Sequence, residues 1–208
     1  MKVVLFGASG MVGSRILQEL VDRGHDVTAV VRTPEKITTA GVRALEGDVT
    51  EESTVASTIK GADAVISAYA PPQGHEEAIV KATRSLVAGL NQAGVKRLLF
   101  VGGAGSLEVA PGVRLVDTPN FPEAFKAIAR AHCDVLPVLK ESDLDWSYLS
   151  PAAFIQPGER TGKFRLGGTR LVADDKGESR ISAEDYAIAL VDELENPTHV
   201  RQQFTAAY

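Results

Sequence analysis

Seven residues near the start of the chain, Gly7-Ala8-Ser9-Gly10-Met11-Val12-Gly13, constrain it more than any others. They set three glycines at intervals of three between the apolar run "KVVLF" and a helical pattern that begins at residue 11. A strand that breaks into glycines and reopens as a helix leaves backbone N–H groups free at the helix start, where the helix dipole adds about half a positive charge. Such a place attracts a phosphate or pyrophosphate. Gly7 then permits the tight turn, Gly10 lets the backbone approach the phosphate, and Gly13 lets the helix pack against the sheet. The flanking strand and helix separate this reading from that of a merely structural turn, so the expectation is a dinucleotide cradle that also takes in Ala8, Ser9, Met11 and Val12.

Lys2 ahead of an apolar run also has the outline of a secretion signal. That reading fails on continuity, because the pattern passes directly into Arg15, Glu19, Asp22 and Arg23 at helical spacing. No apolar run approaches the roughly 18 residues of a membrane span. The single cysteine, Cys133, excludes an intrachain disulfide and points to a cytoplasmic location. A net charge of -5 with no basic run argues against a nucleic-acid partner. The expected partner is a small-molecule substrate, for a protein acting as a monomer or homodimer.

Strand-like and helix-like segments alternate to about residue 150, the signature of a parallel sheet. "KVVLF", "DVTAVVR", "VRALEGD", "ADAVISAY", "KRLLFVGG" and "DWSYLSP" read as strands. Helices are expected over 11–23, 51–60, from Ile79 past Leu90 to a stop at Gly94, and over 121–142 with a kink at Pro137. Residues 103–120 form a long loop rich in glycine and proline. Short strands and turns follow Pro157. Ser182 with Asp185 then opens a helix in a capping-box pattern, and "RQQFTAA" makes a last strand. The chain is therefore expected to be one NAD(P)-binding domain over 1–208: an α/β Rossmann-type doubly wound parallel sheet over 1–156, and a small C-terminal substrate-side elaboration of hairpin, helix and last strand over 157–208.

At the end of the second strand, NAD-selective proteins offer an acid to the ribose hydroxyls, whereas an arginine accommodates a 2′-phosphate. Arg32, with Thr33 beside it and no acid, favours NADP(H) over NAD(H). Asp48, followed by Val49, is placed to meet the adenine, although a turn aspartate reads the same way.

The motifs "GDVT", "VISAY", "FVGGAGSLEVAPG" and "YLSPAAFIQPGERTGKFRLGG", with the glycine turn, resemble the atypical short-chain dehydrogenase/reductase family over essentially the whole chain. Within it they are similar to the NADH-flavin reductase and biliverdin-IXβ reductase-like group, and more distantly to NmrA-like proteins. The resemblance implies reduction by NAD(P)H of a flavin (FMN, FAD or riboflavin), as a substrate rather than a bound prosthetic group, or of another flat acceptor such as a tetrapyrrole or quinone. It also implies that Ala68 and Tyr69, Gly102, Gly103 and Ala104, and Pro151, Ala152, Ala153 and Phe154 line the cofactor's ribose and nicotinamide. An NmrA-like redox sensor that binds NADP(H) without turnover is the alternative, and a nucleotide-sugar epimerase a third.

Orthodox short-chain dehydrogenases carry a Tyr-x-x-x-Lys pair. Here the residues four after Tyr69, Tyr148 and Tyr186 are Gln73, Ala152 and Leu190, and Tyr208 ends the chain. Hydride transfer to a flavin needs alignment rather than such a donor. Phe154, with Leu107 or Pro111 opposite, is expected to wall a flat substrate, and Ser106 is the one candidate for offering it a hydroxyl or proton. His25, His75, His132 and His199 show no metal-ligand spacing, so no metal is expected. Adjacent His132 and Cys133 point about 100° apart on a helix and make no dyad. The acids of "EDYAIALVDELE" are expected on a solvated face.

Overall fold

The computed structural model describes residues 1–208. Apolar runs bounded by turns become strands, and amphipathic segments become the helices that cover them. The order is β1 (Lys2–Phe6), α1 (Met11–Asp22), β2 (Asp26–Val31), β3 (Arg43–Glu46), α2 (Glu52–Thr58), β4 (Ala64–Ser67), α3 (Ala78–Ala93) and β5 (Arg97–Val101). A small hairpin, β6 (Glu108–Ala110) and β7 (Val113–Arg114), precedes α4 (Glu123–Glu141) and β8 (Asp145–Pro151). The remainder is β9 (Phe154–Gln156), β10 (Arg165–Gly167), β11 (Arg180–Ser182), α5 (Ala183–Glu195) and β12 (Gln202–Ala207).

Eight strands form one sheet in the order β3-β2-β1-β4-β5-β8-β12-β10, parallel throughout except for β10, which runs antiparallel to β12. This is the Rossmann-type doubly wound arrangement. α1 and α5 pack together over one face, while α2, α3 and α4 cover the other, each above its own apolar cluster. Strand order reverses between β1 and β4, so the crevice outside their carboxyl ends is where such a sheet receives a ligand. No helix is long and apolar enough to cross a membrane.

Three details differ from expectation. The segment after Pro157 makes no hairpin of its own, because β10 pairs with β12 and β9 lies parallel to β11, so the open sheet edge supplies the partner. The Ser182 hydroxyl caps α5 by accepting from the Asp185 N–H at 3.0 Å, but the Asp185 carboxylate does not return the bond. Instead it accepts from the N–H groups of Thr161 and Gly162, each at 2.8 Å, and fixes the loop before β10. Finally, the acids of α5 are not uniformly solvated: Asp185 and Glu193 are buried, Glu193 against Arg97, Ser147, Thr198 and His199.

Candidate functional site

The glycine turn lies at the reversal point of the sheet. Gly7 has φ +81°, and a Cβ there would stand 2.5 Å from the carbonyl carbon of Ala68 and 2.8 Å from the Tyr69 nitrogen. The turn after β1 thus presses on the turn after β4, and only glycine fits. Gly13 faces inward, where a Cβ would come 2.8 Å from the Gly7 carbonyl carbon. Gly10 differs. A side chain there would meet only the Gly7 oxygen, at 3.4 Å, an ordinary contact. Nothing in the protein's own packing requires Gly10 to be small, and it stands exposed at the start of α1. No side chain caps that helix and no acid occupies its first turn, in contrast to α5. An uncapped helix end beside space kept clear by a glycine fits a pyrophosphate.

Around it one crevice gathers Gly7, Ser9 and Gly10 with Arg32, Asp48 and Val49, and with Ala68 and Tyr69 from the far side of the switch point. Arg32 is exposed and makes no ion pair or hydrogen bond within the chain, so its guanidinium is uncommitted. Thr33 is exposed and does not cap the short helical turn that follows it. Asp48 serves the local turn, its Oδ1 accepting from the Thr50 N–H and hydroxyl at 2.8 Å, and still faces the crevice. Tyr69 shares the crevice with Arg32 and Asp48. Desolvation, followed by the nearby Asp48 carboxylate, raises its phenol above the usual tyrosine value. Ala8 is buried, so it offers only backbone, whereas Met11 is exposed at the mouth and Val12 partly covered.

On the other side of the switch point the expected substrate residues divide. Gly102 lies against the Tyr148 ring, where a Cβ would be 2.6 Å from Cζ. The Gly103 N–H donates to the Tyr148 hydroxyl at 3.0 Å, and that hydroxyl donates to the His132 carbonyl at 3.0 Å. Tyr148 is therefore a clamp between β5, β8 and α4, and burial drives its hydroxyl far above the ordinary range. Ala104 is partly exposed beside them. Two expectations are corrected. Leu107 is fully buried and cannot wall a substrate, because the loop folds inward against α4. Ser106 is buried too, its hydroxyl donating to the Gly103 carbonyl at 3.0 Å and accepting from Gln203 Nε2 at 2.8 Å, which leaves it within the fold and not offered to a substrate. Pro151 and Ala152 are likewise buried, whereas Pro111, Ala153 and Phe154 are exposed.

One grouping was not visible in the sequence. Of the seven exposed large apolar side chains, only Met1 lies elsewhere; Met11, Val109, Val113, Phe125, Phe154 and Leu166 all belong to segments at the carboxyl edge of the sheet. No cluster of potential metal ligands exists. Three of the four tyrosines are committed within the fold: Tyr148 and Tyr186 are buried and bonded to backbone carbonyls, and the Tyr208 hydroxyl lies between Ser182 and Asp185.

A family model described as NAD(P)H-binding matches residues 7–197. A solved structure from Burkholderia pseudomallei named a "putative exported protein" is 52% identical with a TM-score of 0.93, and the match covers 100% of both chains. A "putative epimerase" from Bacteroides thetaiotaomicron is 45% identical with a TM-score of 0.93, over 100% of this chain and 96% of the other. A "putative NADH-flavin reductase" from Streptococcus pneumoniae is 36% identical with a TM-score of 0.87, over 100% of this chain and 99% of the other.

Proposed function

The chain belongs to the NAD(P)H-binding family, and from that premise we propose that it is a reductase that passes a hydride from NADPH to a flavin or another flat acceptor. The observation that carries this reading is the apolar rim. Six large apolar side chains left exposed on segments at the carboxyl edge of the sheet, the same edge that carries the glycine turn, suit a broad π-surface better than a sugar. A sugar would call for convergent polar groups, and here Ser106, Ser150 and Gln203 satisfy one another.

In this reading the α1 N-terminus with Gly10 holds the pyrophosphate, Arg32 meets the 2′-phosphate, and Asp48, Val49 and Tyr69 flank the adenosine. The nicotinamide supplies the hydride, and the proton that completes reduction of the acceptor comes from water. The protein's own contribution is alignment and the exclusion of water by Phe154 and its apolar neighbours, which is consistent with the absence of a Tyr-Lys pair. We place the protein in the cytoplasm, where a chain with a single cysteine and no disulfide is at home. We read residues 1–208 as one functional unit, monomeric or dimeric.

Steady-state NADPH oxidation with FMN, FAD, riboflavin and quinones tests the reading. Turnover above the free-solution rate is expected. Tight NADP(H) binding without turnover on any acceptor would replace it with a redox sensor. For cofactor choice, Arg32→Asp removes a charge-assisted contact worth about 1.5–3 kcal/mol, so KM for NADPH should rise about tenfold to a hundredfold while that for NADH stays within about twofold. Equal effects on the two cofactors would take Arg32 out of the phosphate site.

A further inference from the structure

Building on the reductase reading, we propose that the acceptor is anionic and lies in the groove between β9, β11 and the loop 157–161. Its flat ring rests against Phe154, and its phosphate or carboxylate sits on the Arg180 guanidinium. β9 and β11 run parallel in a register that sets Phe154 directly beside Arg180. Side chains alternate along a strand, so the next pair, Ile155 and Ile181, turns into the apolar cluster shared with α1 and α5, and Phe154 and Arg180 turn the other way together. Both stay open to solvent, Phe154 at 60% and Arg180 at 61%. The groove they line has a volume of about 310 Å3, within the range of small-molecule sites, and Tyr208 adds a second aromatic ring. β9 starts two residues beyond the carboxyl end of β8, at the edge of the sheet that carries the glycine turn. A chain of bonds joins the two places. The Gly158 N–H donates to Glu184 Oε2 at 2.8 Å, Arg15 Nε donates to Glu184 Oε1 at 3.0 Å, and Arg15 Nη1 donates to the Met11 carbonyl at 3.2 Å. One wall of the groove is thereby pinned to the first turn of α1, the helix whose N-terminus forms the phosphate cradle.

Arg180 differs from its neighbours in being uncommitted. Arg160 gives Nε and Nη2 to the Glu19 carboxylate at 2.8 and 2.9 Å, and Arg165 gives Nη2 to the carbonyls of Ala173 and Tyr208. The acid beside Arg180, Glu178, stands 3.8 Å away and is itself exposed, a contact worth little. The neutral polar groups of the groove are already paired: the Tyr208 hydroxyl with Ser182 and Asp185, and the Ser182 hydroxyl with the Glu159 carbonyl. Glu159, the other charged residue of the lining, comes from the loop and not from the strand pair that carries Phe154. A planar guanidinium beside an exposed ring offers a fork of N–H donors that matches a phosphate or carboxylate. A neutral substituent gains no charge-assisted bond there.

The test uses the full chain saturated with NADP+, with flavin binding read by fluorescence quenching and tetrapyrrole binding by absorbance. It compares FMN with riboflavin, and biliverdin with its dimethyl ester. The anionic member of at least one pair should bind about fivefold to tenfold tighter than the neutral one. Arg180→Gln should lower that member to the level of its neutral partner and leave NADP+ binding unchanged, and Arg180→Glu should place it below. Phe154→Ala should weaken both members of the pair alike. A preference within the flavin pair assigns the phosphate, and one within the tetrapyrrole pair the carboxylate. No difference within either pair for the natural protein, a preference that survives Arg180→Gln, or an equal loss for NADP+ would overturn the proposal. An Arg180-dependent preference without NADPH oxidation on any acceptor would instead sink the reductase reading and leave the anion site standing.

Discussion

Gly10→Ala should fold normally and bind NADPH at least about tenfold more weakly, whereas Gly7→Ala should lose both stability and binding. The difference rests on what each missing side chain would meet. At Gly7, a left-handed conformation costs an L-residue about 1–2 kcal/mol, and forcing a methyl group to 2.5 Å from the Ala68 carbonyl carbon adds about 1–3 kcal/mol. For a chain of this size each kcal/mol lowers Tm by about 2–4 °C, so Gly7→Ala should melt roughly 5–20 °C earlier. At Gly10 the added methyl meets one oxygen at ordinary distance, and replacing glycine by alanine at the N-cap costs no more than about 1 kcal/mol. Its methyl does occupy the approach to the free N–H groups. Thermal unfolding paired with a titration of NADPH fluorescence separates the two. Unaltered NADPH affinity in Gly10→Ala would remove the phosphate from this turn, whatever the melting temperatures.

The same turn explains why so much of the architecture could be read from sequence. Gly7, Gly13, the apolar "KVVLF" and the helical spacing of Ile16 and Leu20 are mutually consistent local signals, and the alternation of elements then leaves few ways to order the strands. Where the reading failed, the deciding partner lay far along the chain. Asp185 looked like half of a capping box, and its Ser182 half is formed, but its carboxylate is held by Thr161 and Gly162, more than twenty residues earlier. Leu107 looked available because long loops are usually exposed; here the loop folds onto α4 and buries it. Ser106 looked like a donor until Gln203, 97 residues later, arrived beside it.

His132 and Cys133 make no dyad, since Cys133 packs with Val116 and Ala129 while the His132 side chain lies on Gly103. The two glycines after β5 were the available signal. Gly102 makes room for Tyr148 and Gly103 for His132, so adjacent small residues at a strand end marked two large side chains closing in from other elements.

Glu193 carries the other large effect. Its side chain is 2% exposed, yet it accepts bonds from Arg97 Nη2 (3.1 Å), Ser147 Oγ (2.9 Å), the Thr198 N–H (3.1 Å) and hydroxyl (3.0 Å), and the His199 N–H (2.9 Å), with His199 Nδ1 at 2.8 Å. These contacts tie α5 to β5, β8 and the turn that leads into β12. Burial alone would raise the carboxyl pKa, but the bonds from His199, Thr198 and Ser147 outweigh it and hold it at about 2, against 4.5 for a free glutamate. A depressed folded-state pKa means stability that is fully present above the unfolded value of 4.5, worth about 3 kcal/mol, and that drains away as pH falls from 4.5 toward 2. Glu193→Gln removes the charge and leaves Arg97 without its partner, so at pH 7 it should cost about 3–5 kcal/mol and lower Tm by roughly 10 °C. Because glutamine does not titrate, the stability gap between the natural protein and the variant should narrow steadily from pH 4.5 to pH 3. Urea midpoints at pH 7, 4 and 3 measure that gap. A gap as wide at pH 3 as at pH 7 would mean that the loss at neutral pH comes from altered packing and not from the buried charge.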